Sequence, residues 1–356
     1  MASKVAKGYK KPELKKFGSV KDVTLTTCTG GMMDGGSTPK NKKTCVSLPT
    51  EIAEHRDLLA ESRQQMGFKK EIERVVNPDS VVLDLGCGTG IHTLFACRAG
   101  AKKVYAVESE SIIQIAKNVI AANGYSDRVE FVHADSRTVQ LPEKVDVLVS
   151  NVGFFYSMKC LPHAARAFLK PNGHMIPRLA QFHFVPYSDA AFYRQNVKFW
   201  DQPKYGFDFS SAKSMASHHP HYRVMNPKNF LAQPLTVAPI EFAKADRERF
   251  HCEFEMKFAR PGVVHALGGW YDFHASGKEA FLSNKPPFRS NIWTNFLLPL
   301  EEPLKVKRGD KAQVTLSLDM ITLTQSSLWT WKIELNNRLH CDQSSFRALL
   351  LPQRPS

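Results

Sequence analysis

The chain has 356 residues, 43% of them apolar and 23% charged, with a formal net charge of +14. These proportions exclude a wholly disordered or collagen-like chain, and no apolar run is long enough for a membrane-spanning helix. Seven scattered cysteines without a CxxC pair suit reduced thiols of a cytoplasmic protein rather than a disulfide frame or a zinc site.

Residues 1–45 read as a flexible Lys-rich tail, with Lys4, Lys7, Lys10, Lys11, Lys15, Lys16 and Lys21 followed by a glycine-rich stretch. Such a segment buries too little apolar surface to offset the entropy of ordering it. A solvated arm is expected there; the alternative is a salt-sensitive contact with RNA or an acidic protein. The N-terminus carries no apolar h-region, so no secretory signal is expected.

Residues 50–76 have helical periodicity and end at Asn77-Pro78. Residues 81–85, Val-Val-Leu-Asp-Leu, form a continuous apolar run, as a strand covered on both faces requires. A helix over 91–98, a strand over 103–107, a helix over 111–122 and strands over 129–133 and 145–150 follow. This alternation predicts a Rossmann-like, doubly wound α/β domain over residues 46–177. Beyond Pro177, short Phe- and Val-rich strands at 181–185, 252–258, 264–273 and 312–318 predict an antiparallel β-barrel or sandwich over 178–356. A strand pair turning at Asn336-Asn337 closes it. The polar-aromatic insertion at about 187–224 is too long for a simple connection and reads as an interaction arm.

Gly86-Cys87-Gly88-Thr89-Gly90 follows the first strand and precedes a helix, and Glu108 ends the next strand. Glycines there let a ligand approach the backbone, and the carboxylate is placed to accept both hydroxyls of a ribose. Asp84, Gly86, Gly88, Gly90 and Glu108 are therefore the candidate nucleoside-binding residues. The GxGxG spacing suits S-adenosylmethionine better than a dinucleotide. The triplet His218-His219-Pro220-His221 has no matching cluster at ligand spacing, and no metal is expected.

From Val81 to Glu108 the chain resembles the protein arginine methyltransferases. The similarity runs on through Leu169-Lys170-Pro171-Asn172-Gly173, Tyr205-Gly206-Phe207-Asp208-Phe209 and Val264-His265-Ala266-Leu267. It implies a class I methyltransferase domain followed by an antiparallel β-barrel with an inserted dimerisation arm. Phe192, Tyr193, Trp200, Tyr205, Phe207 and Phe209 are the expected anchors of that arm.

The resemblance also implies catalytic groups that this sequence lacks. The family places two glutamates in one loop after the fourth strand. Here Asn151 holds the first position, the second falls near Ser157 or Met158, and residues 150–161 contain no carboxylate. A guanidinium stays protonated at physiological pH, so burying it needs carboxylate partners. The family's barrel histidine corresponds to Ile292, and shifting by three residues offers only Asn295. Cys45, Val46 and Pro49 stand where the family's lid has aromatics, and Gln64 replaces the arginine that grips the cofactor's carboxylate, with Arg63 adjacent.

These losses resemble the catalytically inactive prozymes of trypanosomatid arginine methyltransferases. That likeness implies a non-catalytic regulatory subunit that stabilises and activates a homologous type I enzyme in a heteromeric complex. The S-adenosylmethionine site would be vestigial, with no cofactor bound. Two rival readings are a divergent active methyltransferase and an RNA-binding scaffold using the basic tail.

Overall fold

Two helices, α1 (Leu48–Ala60) and α2 (Ser62–Val75), occupy the stretch expected to form one. Glu61 separates them with ψ of 75°, outside the helical range. The computed structural model describes residues 48–245, 249–290, 293–321 and 326–345, with a short strand pair at Gly31–Met32 and Gly36–Ser37. The rest of the tail, with its expected solvated arm, lies outside the described residues.

The α/β half runs β1 (Val81–Leu85), α3 (Ile91–Arg98), β2 (Lys103–Glu108), α4 (Ile113–Ala122), β3 (Val129–His133), β4 (Val145–Val149), α5 (Gly153–Phe168) and β5 (Leu169–Ile176). Its five strands are parallel in the order β3-β2-β1-β4-β5. The chain therefore leaves β1 in one direction and β4 in the other, which opens a crevice at their carboxyl ends. The Ser150 hydroxyl bridges that crevice by donating to Leu85 O at 2.8 Å.

After β6 (Leu179–Tyr187) come the arm helices α6 (Ala190–Asn196) and α7 (Ala212–Ser217), then short strands β7 (His221–Tyr222), β8 (Leu235–Thr236) and β9 (Ile240–Glu241). The long strands are β10 (Arg249–Lys257), β11 (Gly262–His274), β13 (Phe296–Val306), β14 (Lys311–Ile321), β15 (Ser326–Leu335) and β16 (Arg338–Ser344), with β12 (Leu282–Ser283) between β11 and β13. They make two antiparallel sheets: β8-β6-β11-β13-β7, with β9 and β12 alongside, and β10-β14-β15-β16. The Gln343 side chain, 2% exposed, ties the second sheet to the first by accepting from the Glu301 N–H and donating to Pro299 O. Asn336 and Asn337 turn β15 into β16 with φ of 48° and 64°, the left-handed pair that a two-residue hairpin loop demands.

The two halves meet at the start of α5. Phe154 is fully buried, with ring centroids 4.8 Å from Phe182, 5.5 Å from Tyr271 and 6.3 Å from Phe242, all on the antiparallel side. The expected loop over 150–161 is thus corrected to a helix from Gly153 onward, whose apolar face joins the common core.

Two buried titratable groups flank β1. Burial holds the Asp84 carboxyl up at about 7, although Thr93 Oγ1 donates to its Oδ2 at 2.6 Å. Burial also pushes His92 down to about 4, with its ring 4.7 Å from that of Phe68. Between the ordinary carboxyl value of 3.8 and about 7, the folded chain keeps an Asp84 proton that the unfolded chain has released, so stability falls as pH rises. Between 6.5 and about 4 the unfolded chain binds the His92 proton that the folded chain refuses, so stability falls as pH drops. The two slopes oppose each other from about 4 to 6.5, and Asp84 acts alone from 6.5 to about 7. Urea midpoints measured across this range should therefore fall between 6.5 and about 7 in the parent chain. In Asp84→Asn that fall should vanish, and a decline on acidification below 6.5 should emerge.

Candidate functional site

The glycine loop sits at the carboxyl end of β1, where the crevice opens. The N–H groups of Gly86 and Cys87 donate to Val107 O at 2.8 and 3.0 Å, pinning the loop to β2. Gly86, Gly88 and Gly90 have φ of 78°, 54° and 89°, a region that side chains rarely adopt. A Cβ on Gly86 would lie 2.4 Å from Val152 Cγ1, and one on Gly88 would lie 2.7 Å from His55 Cε1 of α1. Packing within this chain therefore already requires both glycines.

Glu108, 9% exposed, is held by backbone donors. Its Oε2 accepts from the Gly88 N–H at 3.0 Å, and its Oε1 from the N–H groups of Ser109 and Glu110 at 2.7 and 3.0 Å. Asp84 lies beneath the loop, 1% exposed, with no partner for Oδ1 among the described residues. This arrangement keeps an acid where a ribose would need one.

The opposite end is different. Gln64, 7% exposed on α2, donates from Nε2 to Asn151 Oδ1 at 2.9 Å. Gln64 and Asn151, expected from the resemblance at the places of a cofactor-gripping arginine and a catalytic glutamate, are here bonded to each other, and both are neutral. Gln64 Oε1 is buried with no partner among the described residues, and neither amide brings a positive charge to this end of the crevice. Arg63 is exposed, and its guanidinium lies 4.9 Å from the Phe288 ring centroid. The residues present fit the ribose half of S-adenosylmethionine and do not fit its carboxylate.

Met158 and Ser157, read as candidate positions of the second glutamate, are 3% and 1% exposed within α5. Both belong to the packed body of that helix, which corrects their placement in a catalytic loop. Ile292 lies outside the described residues. Trp293 donates from Nε1 to the Tyr271 hydroxyl at 2.6 Å. Asn295, fully buried, accepts from the Met225 N–H at 2.9 Å and is a structural residue. Among the described residues no metal-holding cluster occurs. His218 and His221 instead pair with the carbonyls of Ser214 and Ala216 at 2.8 Å. Sequence reasoning missed His55 as the residue over Gly88, because nothing local in the sequence signals that contact.

The arm divides its anchors. Phe192 and Tyr193 are 1% and 2% exposed, and the Tyr193 hydroxyl donates to Glu301 O. They fasten α6 to its own β domain, a correction to their reading as interface anchors. Trp200 is half-buried against Phe199, with ring centroids 5.1 Å apart. Tyr205, Phe207 and Phe209 are 97%, 69% and 41% exposed around a turn closed by reciprocal hydrogen bonds between Lys204 and Phe207. Tyr205 and Gly206 both have positive φ there.

Residues 178–337 match the family model of the arginine methyltransferase oligomerization subdomain, and residues 66–177 match that of the ribosomal protein L11 methyltransferase. The chain is 31% identical over 277 residues to protein arginine N-methyltransferase 1 of Schizosaccharomyces pombe, covering 74% of this chain and 81% of that one. It is 31% identical to human protein arginine N-methyltransferase 2 over 65% of this chain, spanning 58% of that protein's length. Among solved structures, a chain of the Trypanosoma brucei PRMT1 enzyme-prozyme heterotetrameric complex with AdoHcy superposes with a TM-score of 0.74. The pair share 24% identity, over 82% of this chain and 96% of that one. Protein arginine methyltransferase 10 of Arabidopsis thaliana superposes at 0.70 with 19% identity, over 82% and 97%. Crevice, arm, and sequence relatedness across both halves agree: the chain belongs to the protein arginine N-methyltransferase family.

Proposed function

We propose that this chain is a non-catalytic subunit that stabilises and activates a homologous type I arginine methyltransferase within a heteromeric complex. The observation that carries the reading is the Gln64–Asn151 bond. A substrate guanidinium keeps its charge at any physiological pH. Placed at this crevice it would meet amides instead of carboxylates, and an unpaired buried charge costs several kcal/mol, on the order of 3–5. Removing a single transition-state electrostatic group already costs a factor of about 10² or more.

The exposed turn at Tyr205, Phe207 and Phe209 supplies the contact such a subunit needs, because large aromatics give much contact area for little lost entropy. The enzyme-prozyme neighbour supports a heteromeric partner of the same family. On this reading the chain works in the cytoplasm, holds no cofactor, and uses its lysine tail for contacts separate from activation, RNA among them.

The rival reading, an active enzyme with a substitute carboxylate, has one observation behind it. Glu61 lines an open cavity of about 680 Å³ with Met225, Asn226, Arg289 and Ser290. Arg289 contributes a positive charge to the same cavity, which opposes guanidinium binding there.

Methyl transfer from S-adenosylmethionine to arginine-rich peptides should be undetectable with the isolated chain, and calorimetry should show no low-micromolar binding of that cofactor. Turnover by the isolated chain that is lost in Glu61→Gln would establish the rival. With a co-expressed family member, Phe207→Ala combined with Phe209→Ala should weaken co-purification and lower the partner's turnover together. Full assembly and activation by that double variant would sink the proposed route.

A further inference from the structure

One step more rests on the non-catalytic reading of the same site. We infer that the Gln64–Asn151 amide pair is a clasp that stands in for the cofactor. It holds α1 and α2 closed over the glycine loop in the ligand-free chain and so presents a preformed helical face to the homologous subunit.

Each helix is fastened by the chain itself. On α1, His55 lies against Gly88, at a separation that leaves no room for a Cβ. On α2, Gln64 reaches Asn151, 87 residues away in sequence and two residues past the end of β4. One turn later Phe68 is fully buried, with its ring 4.7 Å from His92 of α3 and 5.1 Å from Phe281 of the β domain. Gly67 packs so tightly that a Cβ would lie 2.8 Å from Phe281 O. The pair thus touches the glycine loop, the β4 terminus, α3 and the β domain through side chains of this chain.

The amide bond is the only one of these contacts that closes across the crevice itself. Both partners are neutral, so the clasp needs neither a counter-ion nor a ligand carboxylate, and salt does not screen it. Gln64 is buried, so loss of the bond leaves its amide nitrogen without that partner in a buried setting. The helix pair exposes Ile52 and Leu59 on α1 and Met66 on α2 at 39%, 42% and 57%. These apolar side chains are of the kind that an aromatic turn such as Phe207 and Phe209, brought by a homologous subunit, would cover. A face ordered in advance spares the complex the entropy of fixing it on assembly.

Amide hydrogen exchange on the isolated full chain tests the clasp directly. The amides of residues 62–75 should be protected in the absence of ligand, and millimolar S-adenosylhomocysteine should leave their rates unchanged. Gln64→Ala and Asn151→Ala should each raise exchange in α2 roughly five- to tenfold, as loss of one buried hydrogen bond predicts. Protection in β13 and β14 should stay as in the parent, which excludes general unfolding. The double variant should exchange no faster than either single one, because both remove the same bond. Additive effects, or an α2 that exchanges freely until S-adenosylhomocysteine is added, would overturn the clasp. Neither outcome touches the non-catalytic reading, which the peptide assay decides separately.

Discussion

The structure hangs on the first turn of α5. Phe154 sits where the parallel sheet meets the antiparallel half, and its ring contacts Phe182, Phe242 and Tyr271 across that joint. Loss of a buried phenylalanine typically costs about 3–5 kcal/mol, a large share of a domain's net stability. The residues following β4 therefore carry a structural duty that leaves them little latitude. Val152 packs on Gly86, Phe154 fills the joint, and Ser157 and Met158 are enclosed in the helix body. Asn151 is the last residue of this stretch that still faces the crevice, and Gln64 has taken its carbonyl.

That division of labour decides the electrostatics. A catalytic crevice for a guanidinium needs negative charge held against desolvation, which requires a rigid shell of donors. Glu108 has such a shell, with backbone N–H groups on both oxygens. Asp84, one layer deeper, is driven toward its neutral form by burial. Near neutral pH the described crevice thus retains one well-supported carboxylate, at the ribose end, and an amide pair at the other. The charge distribution matches recognition of sugar hydroxyls and gives no support to a substrate cation near Asn151.

The order of elements was legible wherever burial and chemistry were local. The fully buried strand Val81–Leu85 reads directly from its run of apolar residues, and the helix Ile91–Arg98 matches its expected bounds. Asn336-Asn337 marks a hairpin because few other residues tolerate two consecutive left-handed positions. What escaped the sequence depended on distant partners. Residues 150–161 read as a loop on the family resemblance, whereas the helix from Gly153 is held by a buried face that pairs with residues 28 and more positions away, such as Phe182 and Tyr271. Phe192 and Tyr193 carry the same aromatic character as Phe207, and only the fold shows that the first two are spent on their own β domain. The break at Glu61 carries no proline or glycine to announce it.

The glycine loop shows how packing alone can hold a motif in place. Its three positive-φ residues suit close approach of a ligand, yet the space that a Cβ on Gly86 or Gly88 would need is taken by Val152 and His55. Any side chain at either position would be strained by its backbone and would collide with its neighbour. Replacing these glycines would therefore damage the fold with or without a cofactor in the crevice. The diagnostic residues are those whose only duty would have been chemical, because packing does not hold them in place. Gln64 and Asn151 are such positions, and they form a neutral hydrogen bond with each other. In this fold, evidence about chemistry thus comes from the charge of the groups flanking the loop, while the loop itself reports how β1, α1 and the β4 terminus pack.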